Sequence, residues 1–271
     1  MDSSIWHPLG FLARFFNLNF QESGATIPEE FRPERMEWDS LFFNAGIFKL
    51  PPFESGYLKP AEIQEFFAVR EPKYVFTEVP SEATAQIRAL AKAGFSLVET
   101  RLHYYHLLEN LPVQEKSIRL ARPTDVEALK RTASGAVNSF DRYHADPFFS
   151  KEDASRYLET YISNCVGGFA ECVFVPDLRT EPASFTALTR MKDPVWQETQ
   201  PLYRIPLTAC LPSNKGWHFH LCLAALCHVK NENAACLVMT TQATNRAVIH
   251  NCEKLGFKLG SSSHIFSQSN Q

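Results

Sequence analysis

No stretch of this chain reaches the ~18–20 uncharged apolar residues that a membrane span requires, so a soluble protein is expected. Cys-x-x-Cys spacing is also missing. The seven cysteines (Cys165, Cys172, Cys210, Cys222, Cys227, Cys236 and Cys252) are odd in number, lie in the second half and sit mostly in apolar runs. That pattern reads as reduced, buried thiols in a cytoplasmic protein rather than disulfides or zinc. A basic excess is absent too: the net charge is -3 and the pI near 6.3, which argues against nucleic acid as a partner. The segment from Ile5 to Phe16 is apolar, yet it has no basic n-region and no small-residue cleavage site, so it is not expected to be a signal peptide. It suits packing on its own domain or on a second copy of the chain, and a homodimer fits the aromatic stretch from Phe11 to Phe20. An amphipathic helix at a membrane surface or in a partner's groove is the alternative.

What is present is enough for one large domain or two ordinary ones, with 271 residues and 45% hydrophobic side chains. The polar segment from Glu109 to Lys116 is the best candidate boundary. The expected division is an amino-terminal apolar segment (1–35), a smaller α/β domain (36–108) and a larger one (117–271). In the first region, Gly46 to Leu50 and Tyr74 to Val79 read as strands, and Pro60 to Val69 as a helix opened by proline. Ser81 is placed to cap a helix that stops at Gly94, and an alternating strand runs from Ser96 to Leu107.

In the second region a short strand, Ile118 to Ala121, precedes a helix with Thr124 as cap and Glu127 at the capping-box position. Helices are expected from about Lys151 to Asn164, from Trp217 to Val229 and from Asn245 to Lys254. Strands are expected near Ala170 to Val175, Ser184 to Met191, Tyr203 to Leu211, Ala235 to Thr240 and Lys258 to Phe266. That order suits a mixed sheet with helices on both faces. Residues 85–106 and 247–266 echo one another, each a helix ending in Gly-Phe and followed by a strand, which suggests a truncated copy of the second domain within the first.

The most specific signal is Asn245-Arg246-Ala247-Val248-Ile249-His250-Asn251-Cys252-Glu253-Lys254-Leu255-Gly256-Phe257. It resembles the GNAT N-acetyltransferase pattern of an Asn before a short helix ending Tyr-Glu-Lys-x-Gly-Phe. Thr241-Gln242, Met36-Glu37-Trp38-Asp39-Ser40-Leu41-Phe42-Phe43 and Arg142-Tyr143-His144-Ala145-Asp146-Pro147-Phe148-Phe149 narrow this to something similar to the dTDP-fucosamine acetyltransferase branch. The resemblance implies a GNAT-like, mostly antiparallel mixed sheet with helices on both faces, preceded by a partial GNAT-like α/β domain. It implies acetyl-CoA or another acyl-CoA as co-substrate and a small-molecule primary amine, such as a nucleotide-linked amino sugar, as acceptor.

The same resemblance places the cofactor against the end of the strand at Cys210 and Leu211 and over the turn Lys215-Gly216-Trp217-His218, with Asn245 nearby. Helix-start amides are suited to a pyrophosphate. The family's glycine-rich turn keeps only Gly216 here, and His218 either adds a donor or closes the site. Cys252 stands where the family carries the Tyr that protonates the departing thiolate. A thiol of ordinary pKa ~8.5 can give a proton to such a group. Cys252 as a small buried residue is the alternative.

The acceptor amine must lose a proton, and His144 is the candidate base, with Glu171 or Arg190 as further candidates for a base or an anion clamp. Arg142, Tyr143 and Asp146 are expected at the acceptor. Trp38 and Asp39 read as packing and capping residues. The segment Asp193 to Gln200 is placed to reshape the acceptor site. No metal is expected. His103 and His106 point to opposite faces of a strand, and His218 and His220 would lie ~200° apart on a helix. A GNAT-like protein with altered catalysis, acting as a ligand-binding or scaffold module, is the alternative function.

Overall fold

A computed structural model of the chain describes residues 33–50, 60–191 and 200–270. The apolar start of the chain and most of the Asp193 to Gln200 insertion lie outside the described residues. In chain order the elements begin with β1 (Glu34–Arg35), α1 (Glu37–Phe42), β2 (Ile47–Lys49), α2 (Pro60–Arg70), β3 (Tyr74–Pro80), α3 (Thr84–Lys92), β4 (Ser96–His106) and β5 (Ile118–Leu120). They continue with α4 (Val126–Gly135), α5 (Arg142–Ala145), α6 (Lys151–Asn164), β6 (Cys172–Pro176), β7 (Ser184–Met191), β8 (Leu202–Ile205) and β9 (Thr208–Cys210). The last four are α7 (Trp217–Asn231), β10 (Cys236–Gln242), α8 (Arg246–Leu255) and β11 (Lys258–Ser269).

The chain divides into two compact units. The first takes the described residues up to Leu102, then Phe140–Ser150, then those from Ser261 onward; the second takes His103–Ser139 and Lys151–Gly260. The division therefore draws the Arg-Tyr-His segment and most of the last strand into the first unit, away from the linear boundary expected at 109–116.

In the first unit the strand order is β1-β2-β3-β11, with β4 next to β11. β3 and β11 run antiparallel from Tyr74 opposite Ser269 to Pro80 opposite Ser263. One face of this sheet carries Val75, Val79 and Phe266 against Ile63, Leu90 and Phe95 from the helical side. The other carries Ile47, Tyr74, Phe76 and Ile265 against Phe149, with Phe43 and Tyr143 at the margin. The alternation along β3 is what sends adjacent residues to these two cores.

The second unit orders its strands β10-β8-β7-β6-β5, with β9 also on β7. β8 lies parallel to β10, and β5, β6, β7, β8 and β9 make antiparallel pairs. Leu129 and Ala133 of α4 and Ile162 of α6 pack on Val173, Phe185 and Ala187 of β6 and β7. The inner surface of α7 is a run of fully buried residues that includes Leu221, Leu223, Leu226 and Val229.

Three local expectations are corrected. Helix α3 begins at Thr84 with Ala83 as its cap residue, because the Ser81 hydroxyl is taken by Ser262 Oγ, at 2.9 Å. Thr124 and Glu127 do not form the cap before α4. Asp125 does that work in a 3-10 turn, accepting from the Arg122 N–H at 2.7 Å and from both terminal nitrogens of Arg119 at 2.7 and 3.0 Å. The strand expected from Tyr203 to Leu211 is broken into β8 and β9 by Pro206, which has no N–H to give to a ladder.

The echo between the two regions has a geometric counterpart. Gly94 and Gly256 end α3 and α8 at φ +89° and +87°. In each case the following Phe donates five residues back, Phe95 N–H to Leu90 O at 3.0 Å and Phe257 N–H to Cys252 O at 2.9 Å. Both are the same glycine-stopped helix end leading into a strand.

Candidate functional site

In the second unit, the break at Pro206 opens the sheet. From Thr189 opposite Arg204 to Thr186 opposite Thr208, one strand advances three residues and the other four, so one extra residue is accommodated as a bulge. Before the bulge β8 is paired with β10 as far as Ile205 opposite Met239. After it, among the described residues, β9 is paired with β7 alone. Two bonds fix which way the β9 peptides point: Leu211 N–H to Ala183 O at 3.0 Å and Ala187 N–H to Leu207 O at 2.9 Å. By the alternation of an antiparallel ladder, Ala209 faces β7 while the N–H and C=O of Thr208 and Cys210 face away from it, on the side of the split.

Beyond β9 the chain makes a 3-10 turn, Pro212–Asn214, and enters α7 through Gly216. Gly216 has φ +90°, and a Cβ built there would meet no atom within 4 Å. Lys215 and Gly216 are exposed, and the start of α7 carries no side-chain cap. A helix start is the kind of feature that seats an anion, and two of the amides here, those of Trp217 and His218, are directed at the Cys210 sulfur. The Cys210 thiol lies beside them. It donates to Asn214 O at 3.0 Å, and burial raises its pKa while the N–H groups of His218 and Trp217, aimed at the sulfur, pull it the other way. Leu211 packs where a Cβ on Gly135 would come within 3.0 Å of it. Trp217 carries the Lys116 ammonium 4.4 Å above its ring.

His218 turns inward. It is buried, accepts from Asn251 Nδ2 at Nδ1 (2.8 Å) and leaves Nε2 beside Cys222 Sγ at 3.5 Å. Burial lowers its pKa to about 4, so the ring is neutral at ordinary pH.

Cys252 is placed in the core, 1% exposed, with its thiol donating to Met239 Sδ at 3.4 Å. Burial pushes this thiol up to about 12, which is poorly matched to protonating a thiolate of ordinary pKa ~8.5. Leu90, in the matching place of the α3 helix end, is likewise buried completely. Cys252 is thus packed in the core as a buried thiol. Asn245 caps α8, accepting from Val248 N–H at 3.3 Å. Asn245→Ala is expected to lower stability by about 1 kcal/mol in denaturant unfolding.

The Arg-Tyr-His segment lies in the first unit, and most of its polar atoms hold the segment itself in place. Arg142 is buried and reaches Asp39 Oδ2 at 3.3 Å, with its guanidinium 3.9 Å from the centre of the Phe76 ring. Tyr143 Oη donates to the same Asp39 oxygen at 3.2 Å. Asp146 Oδ2 accepts from Tyr74 Oη at 2.9 Å and Ser267 Oγ at 2.6 Å, and Oδ1 accepts from the Phe148 N–H at 3.0 Å. Glu99 Oε2 accepts from the Arg142 N–H at 3.2 Å. Arg142, Tyr143 and Asp146, expected at the acceptor, thus each make hydrogen bonds within the first unit. Asp39, expected as a cap, is the centre of a buried ion pair.

His144 differs. Its side chain is 6% exposed, Nδ1 lies 2.8 Å from Asp141 Oδ2, and Nε2 is enclosed with no hydrogen-bond partner among the described residues. Sequence reasoning missed Asp141, although an Asp three residues before His144 at the start of a short helix is a recognisable cap signal. Glu171 accepts from Tyr203 Oη at 3.2 Å. Among the described residues no group of three or more His, Cys, Asp or Glu is gathered as a metal ion would need. No helix of the described residues is long and apolar enough to cross a membrane.

Compared by sequence, the chain matches no family model and no curated protein. Its architecture is matched by solved structures. A functionally unknown conserved protein from Staphylococcus epidermidis aligns over 96% of this chain and 100% of its own, with TM-score 0.61 and 11% identity. A GCN5-related N-acetyltransferase from Sphaerobacter thermophilus aligns over 82% and 73%, with TM-score 0.55 and 10% identity. A tandem GNAT protein from the clavulanic acid biosynthesis pathway aligns over 83% and 75%, with TM-score 0.51 and 14% identity. The chain has the GNAT fold. The mixed, mostly antiparallel GNAT architecture expected from the sequence is therefore present.

Proposed function

We propose that this protein is an acyl-CoA-dependent N-acyltransferase, with acetyl-CoA as the first co-substrate to test and a small-molecule primary amine as acceptor. The observation that carries the reading is the split itself. Beyond the bulge, Thr208 and Cys210 offer peptide groups on the side away from β7, as an amide-bearing chain such as pantetheine requires, and the same strand leads to the exposed helix start at Gly216. The pyrophosphate would rest there with Lys215 beside it. The amine would attack the thioester directly, after losing its proton to a base. A nucleotide-linked amino sugar is the acceptor to try first, on the strength of the Arg-Tyr-His and Trp-Asp segments.

The test is calorimetric titration with acetyl-CoA and with CoA. Saturable micromolar binding is expected, with a loss of about 10–100-fold on Lys215→Glu, the scale of one charge-assisted hydrogen bond. Gly216→Trp, at a φ that favours glycine, is expected to abolish it. A second reading, a GNAT-fold binding module without transfer activity, is favoured by the Cys210 sulfur over two helix-start amides and by Cys252 in the core. No heat and no thermal stabilisation at millimolar ligand would establish that second reading in place of the first.

A further inference from the structure

We propose that the outer edge of β5 and the groove beside it form a docking site for an extended peptide of a partner protein, one that carries apolar side chains and an acidic side chain along one face. The site lies wholly within the second unit and does not depend on the transferase reading. β5 is the last strand of its row, and among the described residues it pairs with β6 alone. Ser117 O accepts from the Asp177 N–H at 3.0 Å, and the Ala121 N–H donates to Val173 O at 2.7 Å, so alternate peptide groups from 117 to 121 are committed to β6. By the alternation of an antiparallel ladder, the N–H and C=O of Ile118 and Leu120 face the other way. Leu120 O agrees with this direction, because it accepts from Arg119 Nη1 at 3.1 Å. What remains is the Ile118 N–H, the Ile118 C=O and the Leu120 N–H, which have no backbone partner among the described residues. Donors and acceptors at strand spacing are the complement of another strand.

The side chains specify the kind of strand. Leu120 is opposite Phe174 in the register, so Ile118, Leu120 and Phe174 share one face. On that face they line a groove of about 270 Å³ together with Ala224 and Cys227 of α7. Leu120 is 54% exposed, so this apolar surface can be reached from solvent. The charged residues lining the groove, Lys116 and Arg119, are both cations. Arg119 is paired with Asp125 at 2.7 Å, whereas Lys116 meets the Trp217 ring and no ion-pair partner among the described residues. A strand added to β5 sets every second side chain over the groove, opposite Leu120 and then Ile118, with the next at Lys116. Leucine-sized side chains suit the first two positions and a carboxylate the third.

The test uses two acetylated and amidated heptapeptides, Thr-Leu-Thr-Leu-Thr-Glu-Thr and its reverse, which present the leucines and the acid to β5 in antiparallel and parallel order. Titrated into the full chain and followed by amide NMR, one of them is expected to bind saturably below ~1 mM. The Ile118 and Leu120 amides should then exchange with solvent about 10-fold more slowly, while the Arg119 amide, on the β6 side, stays as it was. Leu120→Pro removes an N–H that points away from β6, which an edge strand tolerates, so melting should hold while affinity falls about 10-fold. Lys116→Gln should weaken binding about 3–10-fold and remove most of its salt dependence. The same peptides N-methylated at every residue keep the side chains, lose the N–H groups and should not bind, a control that stands even if the proline variant fails to fold. Failure of both peptides to saturate overturns the proposal. Binding that survives N-methylation also overturns it, since the groove would then take side chains without strand addition. So does protection of Ile118 and Leu120 that rises with protein concentration alone, which would make the occupant a second copy of this chain.

Discussion

Asp39→Ala is expected to destabilise the first unit by about 3–5 kcal/mol, the cost of removing one partner from a buried ion pair. The side chains of Arg142 and Asp39 are 8% and 7% exposed, so the guanidinium left behind cannot recover its energy in water. Asp39 Oδ2 also receives the Tyr143 hydroxyl, so the same change removes a second hydrogen bond. The stack of Arg142 on Phe76 and Tyr143 remains and does not compensate, because a cation over a ring is worth only ~1–2 kcal/mol even when desolvated. Denaturant unfolding followed by tryptophan fluorescence, Trp38 being one residue away, is the measurement. A change under 1 kcal/mol would mean that the pair is open to solvent. The double variant Asp39→Leu with Arg142→Met should recover much of the loss, since it removes both charges together.

The second large effect is a dependence of stability on pH. His218 has its pKa lowered from 6.5 to about 4 by burial. Between those values the unfolded chain takes up a proton that the folded ring refuses, so the contribution is complete above pH 6.5 and lost as the pH falls toward 4. At 1.36 kcal/mol for each pKa unit this amounts to roughly 3 kcal/mol from one side chain. His218→Gln keeps an acceptor for Asn251 and removes the titration. Unfolding free energies of the two proteins at pH 7 and pH 4.5 should therefore converge on the acid side. His106 and His264, also lowered by burial, stay in both proteins, so the difference isolates His218. Parallel stability curves would show that the ring is protonated in the folded protein.

Much of the fold could be read along the chain because its punctuation is local. Gly94 and Gly256 end their helices where φ must be positive, and Pro60 opens a helix, so each element boundary follows from one residue. Pro206 is equally informative, although the run around it reads as one strand. Ser81 and Thr124 have the chemistry of caps, and what displaced them was a partner the local pattern does not name: Ser262 for one, the Arg119–Asp125 pair for the other. The same distinction runs through the site. The turn at Gly216 is visible in the sequence because it is made by neighbours. The inward turn of His218 depends on Asn251, 33 residues away, and the burial of Arg142 on Asp39, 103 residues away. For Cys252 the motif specifies where the residue lies in the helix, while its burial, which the motif does not specify, comes from the core around it.

The first unit is built from three separated stretches of the chain, and its sheet has β11 lying against β3. A nascent chain with 150 residues made has α2, α3, β3 and the Arg-Tyr-His segment in hand, but not Ser267, which holds Asp146, nor Phe266, which fills the helical-side core. The second unit has everything it needs once residue 260 is out. Synthesis from the amino terminus therefore delivers the parts in one order while completion follows the other: the earlier part of the first unit must wait, open-edged, for β11. For cells producing this protein, the interval before β11 arrives is when the exposed edge of β3 is open to mispairing and the proper place for a chaperone to act.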